Sequence, residues 1–408
     1  MFKITPIGSC RIYSPLRQTA KDYGFQINIQ RVYGYSHSSG EAVQQMRLFS
    51  SDVLPDESLW PLLSMRNNPS EFQNQVHEKS DLYVVELAST KNITIDDCCV
   101  QLNYLSRYFK DFFSSTQRSA DFTSLCRKND PVAVENFLKE NWYSTPEQQK
   151  ETDTLKRIKI AFSTEQSLYD DICTLQEGLE NVLFVTHVNA TDGQNQILAS
   201  RQKFIDQVTS AAKRAGVDLY NPTSLMKKIG QVNAIEDYST SLAHFTEDFS
   251  RRIFADWYKL KIRDMIEEAL LALPEENINR ILVPHAGKIL EIGDPDRVEE
   301  LADLLDAVEG YFPENLQVKQ MQMDMAYFQN DQNRIRRLLF QIVFTCDISQ
   351  YHGALDMFET LPNLKEWVAE ILGTEGIPAT SLPWLKKLAL FINAPEIKRQ
   401  LDNYSQTV

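Results

Sequence analysis

The sequence holds no run of about 18 uninterrupted apolar residues, the length a helix needs to cross a bilayer, so no membrane span is expected. No secretory leader is expected either. One lysine precedes strand-forming residues, with no apolar segment or cleavage site. Cysteine is present without a pattern. Cys10, Cys98, Cys99, Cys126, Cys173 and Cys346 make neither a Cys-x-x-Cys pair nor a Cys/His set at metal-ligand spacing. A metal site is therefore not expected, and reduced thiols in a cytoplasmic protein are. Clustered positive charge is missing as well. Lys and Arg number 42 against 56 acidic residues, a net charge of −14. Neutralising a phosphate backbone needs a basic stripe, so no nucleic-acid partner is expected. The pairs Lys227-Lys228 and Arg251-Arg252 read as solvated helix faces. There is no low-complexity tract and no fixed repeat motif.

What remains is ordinary globular composition, 43% hydrophobic and 24% charged over 408 residues, enough for two or three domains. Ile4 to Cys10 reads as a short strand running into the turn Gly8-Ser9-Cys10. A helix is predicted from Pro15 to Tyr23, with Ser14 as cap, Pro15 at the first position and Gly24 after the last. Phe25 to Ile29 alternates as a strand does, residues 34–40 form a small-polar loop, and Glu41 to Phe49 is helical. Asp81 to Ala88 is an apolar run suited to a buried parallel strand, and a polar loop follows over Ser89 to Asn92. From about 97 to 180 the pattern is helical and too long for a crossover, so it is an insertion or lid. Its aromatic stripe, Tyr104 to Phe113, reads as core rather than as a sugar platform.

Asn181 to Asn189 is the clearest strand, followed by a helix closed by Gly216 and a short strand over Val217 to Tyr220. Thr246 then caps a long core helix that Pro274 stops. Strands alternating with helices predict an α/β fold, a parallel five-stranded sheet sandwiched by helices. Residues 1–272 would form that domain. Residues 275–408 would form an all-α domain, whose paired segments 297–308, 315–328, 332–345 and 350–359 suggest stacked α-hairpins. In such sheets the ligand sits at the carboxyl ends of the strands, where the loops at 8–11, 34–40, 88–92, 187–195 and 233–244 would converge.

Three blocks occur in a telling order: Pro6-Ile7-Gly8-Ser9-Cys10, a strand-end loop reaching Asn189, and His244 ahead of the last core helix. Together they resemble the SGNH hydrolase superfamily over about residues 1–270, and more narrowly its GSCFA-type and polysaccharide-acetyltransferase-like branches. The resemblance implies a flavodoxin-like sheet and acyl chemistry, with Cys10 at the nucleophile position and Ser9 beside it. Such chemistry needs a nucleophile, a base and donors for the oxyanion. A thiol at a helix start is expected to have a lowered pKa. His244 suits the base, with Asp237 or Glu236 to orient it. The Cys10 N–H, an N–H of Gly34 or Ser36, and the Asn189 side chain suit the oxyanion. Two departures stand out. Ser241 replaces the usual Asp three residues before the His, which leaves the acid open. Arg11 replaces a small or apolar residue, where it would steady a thiolate, bind an anionic group, or form a surface ion pair.

His37 and Ser89 are candidates for the pocket wall, with Gly8 shaping the turn. Glu86, a carboxylate in an apolar strand, must orient a catalytic group or pair with a loop N–H. His187 reads as a core histidine, and His285 and His352 as structural. The expected activity is transfer or hydrolysis of an acyl group, acetyl above all, on a carbohydrate in polysaccharide biosynthesis. No cofactor is required, and acyl-CoA can serve as co-substrate. The substrate is a carbohydrate or acylated small molecule. The alternative is a non-catalytic binding or scaffold protein with a degenerate SGNH-like domain, whose helical C-terminal region recruits a protein partner.

Overall fold

Short strands alternate with helices along the first 220 residues of the computed structural model. The structure describes residues 1–50, 54–63, 68–191, 197–236, 244–272, 274–346, 361, 363–374 and 377–404. In chain order the strands are β1 (Lys3–Ile7), β2 (Gln26–Ile27), β3 (Leu82–Leu87), β4 (Lys91–Ile95), β5 (Cys98–Cys99), β6 (Ile158–Phe162), β7 (Val182–Thr186) and β8 (Leu219–Tyr220). Five of them form a parallel sheet in the order β2-β1-β3-β7-β8. The chain starts at β1, steps out to β2, then crosses back to β3. That reversal leaves a crevice above the carboxyl ends of β1 and β3.

β3 is buried at every residue because helices cover both faces. Successive side chains point to opposite faces. Tyr83, Val85 and Leu87 join Ile7 and Phe184 on one side. Against them pack α2 (Ser39–Ser50), α3 (Glu165–Gly178) and α4 (Ala199–Ala215), through Ala42, Val43, Leu168, Ile172, Phe204 and Val208. Glu86 belongs to the other face, where it meets α1 (Cys10–Thr19). α5 (Glu247–Trp257) packs along α1 and is capped by Thr246, whose Oγ1 accepts the Phe249 N–H. The α/β architecture predicted from alternation is therefore the one observed.

Local readings differ in three places. α1 starts at Cys10 rather than at Pro15, with Ser9 as its cap, and Pro15 lies inside it. Both serines carry a cap signal, and the strand end at Gly8 lets the first one act. The insertion is not wholly helical. β4, β5 and β6 form an antiparallel sheet, and β4 already begins within the expected loop, at Lys91. Ile158 and Phe162 stand four apart and so mimic a helix stripe. The alternation of buried Ile158 and Ile160 with exposed Lys159 is the signal that wins. Helices fill the rest of the insertion, and its core includes Phe109, Phe112, Phe122 and Trp142, so much of the aromatic stripe is core. Third, the long helix after Thr246 is interrupted by a π-helical turn, Tyr258–Ile262.

Two compact units result. One comprises residues 3–20 and 26–261, the other residues 1–2, 21–25 and 262–408. The second unit is helical. In it α6 (Pro295–Tyr311), α7 (Leu316–Phe328) and α8 (Gln332–Thr345) pack as successive neighbours. The expected segment 350–359 and His352 lie outside the described residues. His285 is buried and its Nδ1 bonds the Tyr23 carbonyl, a structural role. Among the described residues no helix is long and apolar enough to cross a membrane.

Candidate active site

The turn after β1 is held by a carboxylate from the next strand. A Cβ on Gly8 would stand 2.6 Å from Glu86 Cβ and 2.7 Å from Ile12 Cδ1, so the close approach requires glycine. Glu86 is 1% exposed. Its Oε2 accepts the Ser9 N–H at 2.7 Å and its Oε1 accepts Arg11 Nε at 2.6 Å. Of the two roles read for this residue, the structure shows the pairing with a loop N–H. Ser9 is buried, and its Oγ accepts the Arg11 N–H at 3.3 Å. It caps α1. Cys10, half-buried, opens the helix. Its N–H belongs to the first turn and has no acceptor within the helix.

His244 comes to Cys10 from the far end of the unit, with Sγ and Nδ1 3.8 Å apart. Backbone bonding sets its place. Ile235 bridges Phe245, and the Glu236 N–H donates to the His244 carbonyl at 3.0 Å. Thr246 next caps α5. The Glu236 side chain is exposed, and among the described residues no carboxylate is bonded to the His244 ring. Asp237 and Ser241 lie outside the described residues.

The charges around the thiol oppose one another. Burial pushes the Cys10 thiol up, Arg11 pulls it down, and Glu86 pushes it up again; the net direction is up. This corrects the expectation of a lowered thiol. At the helix start desolvation outweighs the stabilisation by nearby positive charge. Burial likewise raises the Glu86 carboxyl, but Arg11, His37 and the bonds from Ser9 and Arg11 together hold it below the usual range.

The loop after β2 forms the neighbouring wall. At Gly34 a Cβ would stand 2.6 Å from the Leu63 carbonyl oxygen. The Ser36 N–H donates to the Gly8 carbonyl at 3.2 Å, which ties this loop to the turn after β1 and engages that donor. The Ser36 Oγ is buried without a partner. His37 donates its N–H to Glu41 Oε2, and its carbonyl accepts the N–H groups of Ala88 and Ser89. Its Nδ1 accepts from Gln101 Nε2 at 2.9 Å, so the ring proton sits on Nε2. Burial lowers its pKa. Ser89 Oγ accepts the Lys91 N–H.

Beyond β7, His187 is 6% exposed and its Nδ1–H donates to the Val188 carbonyl, a core histidine. Asn189 is buried, and its amide donates to Gln202 Oε1 at 2.5 Å. Of the donors named from the sequence, the Ser36 N–H and one N–H of the Asn189 amide thus already serve protein acceptors. Cys10, Ser9, Gly8, Arg11 and His244 are brought together, with Glu86 beneath them and His37 near enough to feel Glu86 and Arg11. Arg201 was missed. It occupies the first turn of α4, with its Nη1 buried and unpartnered. A cation in a first helical turn opposes the helix dipole, and that signal was present in the sequence.

Residues 2–260 match the family model described as the TviD N-terminal domain. Among curated proteins, the Vi polysaccharide biosynthesis protein TviD of Salmonella typhi is 33% identical over 261 residues, which is 64% of this chain and 31% of that protein. The match thus spans about a third of the relative's length. No solved structure matches the chain.

Proposed function

Because the chain belongs to the TviD N-terminal domain family, we propose that it moves an acetyl group on or off a carbohydrate hydroxyl in polysaccharide biosynthesis. The curated relative is by its name a polysaccharide biosynthesis protein. The observation that carries the chemistry is the Cys10 Sγ standing 3.8 Å from His244 Nδ1 at a helix start. The resemblance of the Gly8-Ser9-Cys10 and His244 blocks to SGNH enzymes supports the same assignment.

A thiol held above its ordinary pKa rests protonated. His244 therefore acts as a general base at the moment of attack rather than as partner to a standing thiolate. The Cys10 sulfur bonds the acyl carbon while its proton passes to His244. The Cys10 N–H and the α1 dipole face the oxyanion. The tetrahedral centre collapses to a thioester, and the leaving alcohol or thiol takes the proton from His244. A sugar hydroxyl or water then gives its proton to His244 and attacks the thioester, which restores the thiol. Acyl-CoA serves as donor when a sugar accepts.

The test is turnover with acetyl-CoA plus acceptor glycans, and with acetylated glycans in water. Cys10→Ala is expected to abolish turnover, and His244→Ala to lower it by about 10²–10⁴. Full turnover in Cys10→Ala would remove Cys10 from the mechanism and turn attention to Ser9. Glycan binding without turnover in the wild type would establish the binding-protein alternative.

A further inference from the structure

Where β1 and β3 part, the described side chains leave charge uncompensated. Arg11 is fixed through its Nε on Glu86, with its side chain 12% exposed, and its Nη groups make no hydrogen bond to the described residues. Arg201 comes from the first turn of α4, which follows β7 on the other side of β3. Its Nη1 is buried and bonds nothing. The two guanidinium charges act on one another, and both act on His187. Among the described residues Glu86 is the carboxylate bonded to this pair, and it reaches only Arg11. His187 and His37, both lowered by burial, add no compensating charge.

A buried N–H without an acceptor is costly, more so on a charged group. The position of Arg201 in a first helical turn adds to that cost, because the helix start is itself positive. No side chain caps α4. Water can accept the hydrogen bonds but does not offset the charge. An oxyanion offsets all three costs at once, and a guanidinium fork matches a carboxylate or phosphate with two parallel bonds.

We infer that Arg11 and Arg201 form an oxyanion subsite beside Cys10, which takes a carboxylate or phosphate group carried by the substrate. The subsite rests on the proposed function only in taking Cys10 as the reacting centre. It also gives a role to Arg11, which stands where a small or apolar residue is usual. The anionic group belongs either to the acceptor sugar or to the acyl donor.

The experiment uses two alkylating reagents that differ in charge alone. Rates of Cys10 modification by iodoacetate and by iodoacetamide are read by peptide mass spectrometry on the full chain, against a neutral cysteine peptide. With the subsite present, the iodoacetate-to-iodoacetamide rate ratio at Cys10 exceeds that of the peptide by about tenfold, the scale of one charge-assisted pair. The iodoacetate rate also saturates with concentration. Arg201→Met brings the ratio down towards the peptide's value. Arg201→Lys, which keeps the charge and loses the fork, falls between and carries the test if the methionine variant does not fold. D-glucuronate and adenosine 3′,5′-bisphosphate are then added as competitors. Protection by the first places the group on the acceptor, and protection by the second on the donor. A wild-type ratio equal to the peptide's, or one unmoved by either Arg201 variant, overturns the subsite. A Cys10 inert to both reagents overturns it together with the acyl-transfer mechanism. Absent turnover with a charge preference intact overturns the mechanism alone.

Discussion

Replacing Glu86 tests how the Gly8-Ser9-Cys10 turn is held. Its carboxylate is 1% exposed and receives two donors, the Ser9 N–H at 2.7 Å and Arg11 Nε at 2.6 Å. Glu86→Ala leaves both unanswered, one of them a guanidinium whose side chain is 12% exposed. Breaking a buried pair from one side costs about 3–5 kcal/mol. Glu86→Gln keeps one acceptor oxygen but turns an NH₂ towards the second donor and loses the charge, which costs about 1.5–3 kcal/mol. Hydrogen exchange read on peptides covering residues 3–19 suits the measurement, because it reports local opening in a chain of two units. Protection there should fall by about 10² or more in Glu86→Ala and by roughly tenfold in Glu86→Gln, each factor of ten being ~1.4 kcal/mol. The pH dependence has a definite sign. The Glu86 carboxyl is held low in the fold. Its stabilisation is complete above the unfolded value of about 4.3 and is lost as the pH falls through the lower folded value. The gap between wild type and Glu86→Ala should therefore narrow only in acid. Protection in Glu86→Ala within threefold of wild type, or a glutamine variant worse than the alanine one, would refute the account of this turn.

Two further substitutions probe the loop and the glycine beside it. Glu41 is 4% exposed, and burial raises its carboxyl to about 8. Its contribution is complete below about 4.3 and is lost as the pH rises through about 8, so wild-type stability should fall by up to ~1.4 kcal/mol per pH step across that window. Glu41→Gln imitates the neutral acid, with its oxygen accepting the His37 N–H and its NH₂ donating to Ser38; parallel urea midpoints for the two proteins from pH 5 to 9 would contradict this. Gly8→Ala drives a methyl within 2.6 Å of Glu86 Cβ and 2.7 Å of Ile12 Cδ1. It should cost about 1–3 kcal/mol and displace Cys10, and an alanine variant with unchanged stability and unchanged Cys10 alkylation would show that the turn has room.

Local chemistry made much of this protein legible in its sequence. The apolar runs of β3 and β7, the Thr246 cap and the Gly216 stop are short-range signals, and each acts where it is written. The alternation of strands and helices was enough to fix the parallel sheet, because few topologies satisfy it. The same signals failed where two of them compete in one window. Ile158 and Phe162 fit both a helix and a strand, and pairing with β4 decides between them. Ser9 and Ser14 both invite a helix start, and the end of β1 decides that.

The site depended on tertiary structure to a greater degree. Cys10 was visible from its turn, but His244 lies 234 residues away and is placed by the bridge of Ile235 with Phe245. Glu86 reaches Ser9 and Arg11 across 77 and 75 residues, a pairing that no local pattern encodes. The direction of the Cys10 pKa is opposite to the one its helix start suggests, because a helix dipole can be read from sequence while burial cannot. The sequence by itself determined the strands of the parallel sheet, the helices between them and the Gly8-Ser9-Cys10 turn, since propensity, capping and periodicity act within a few residues. Which charges meet, which donors are already engaged and how deeply the thiol is desolvated were decided only when the sheet brought distant segments to one edge. Coulomb and desolvation energies depend on separation in space, not on separation along the chain.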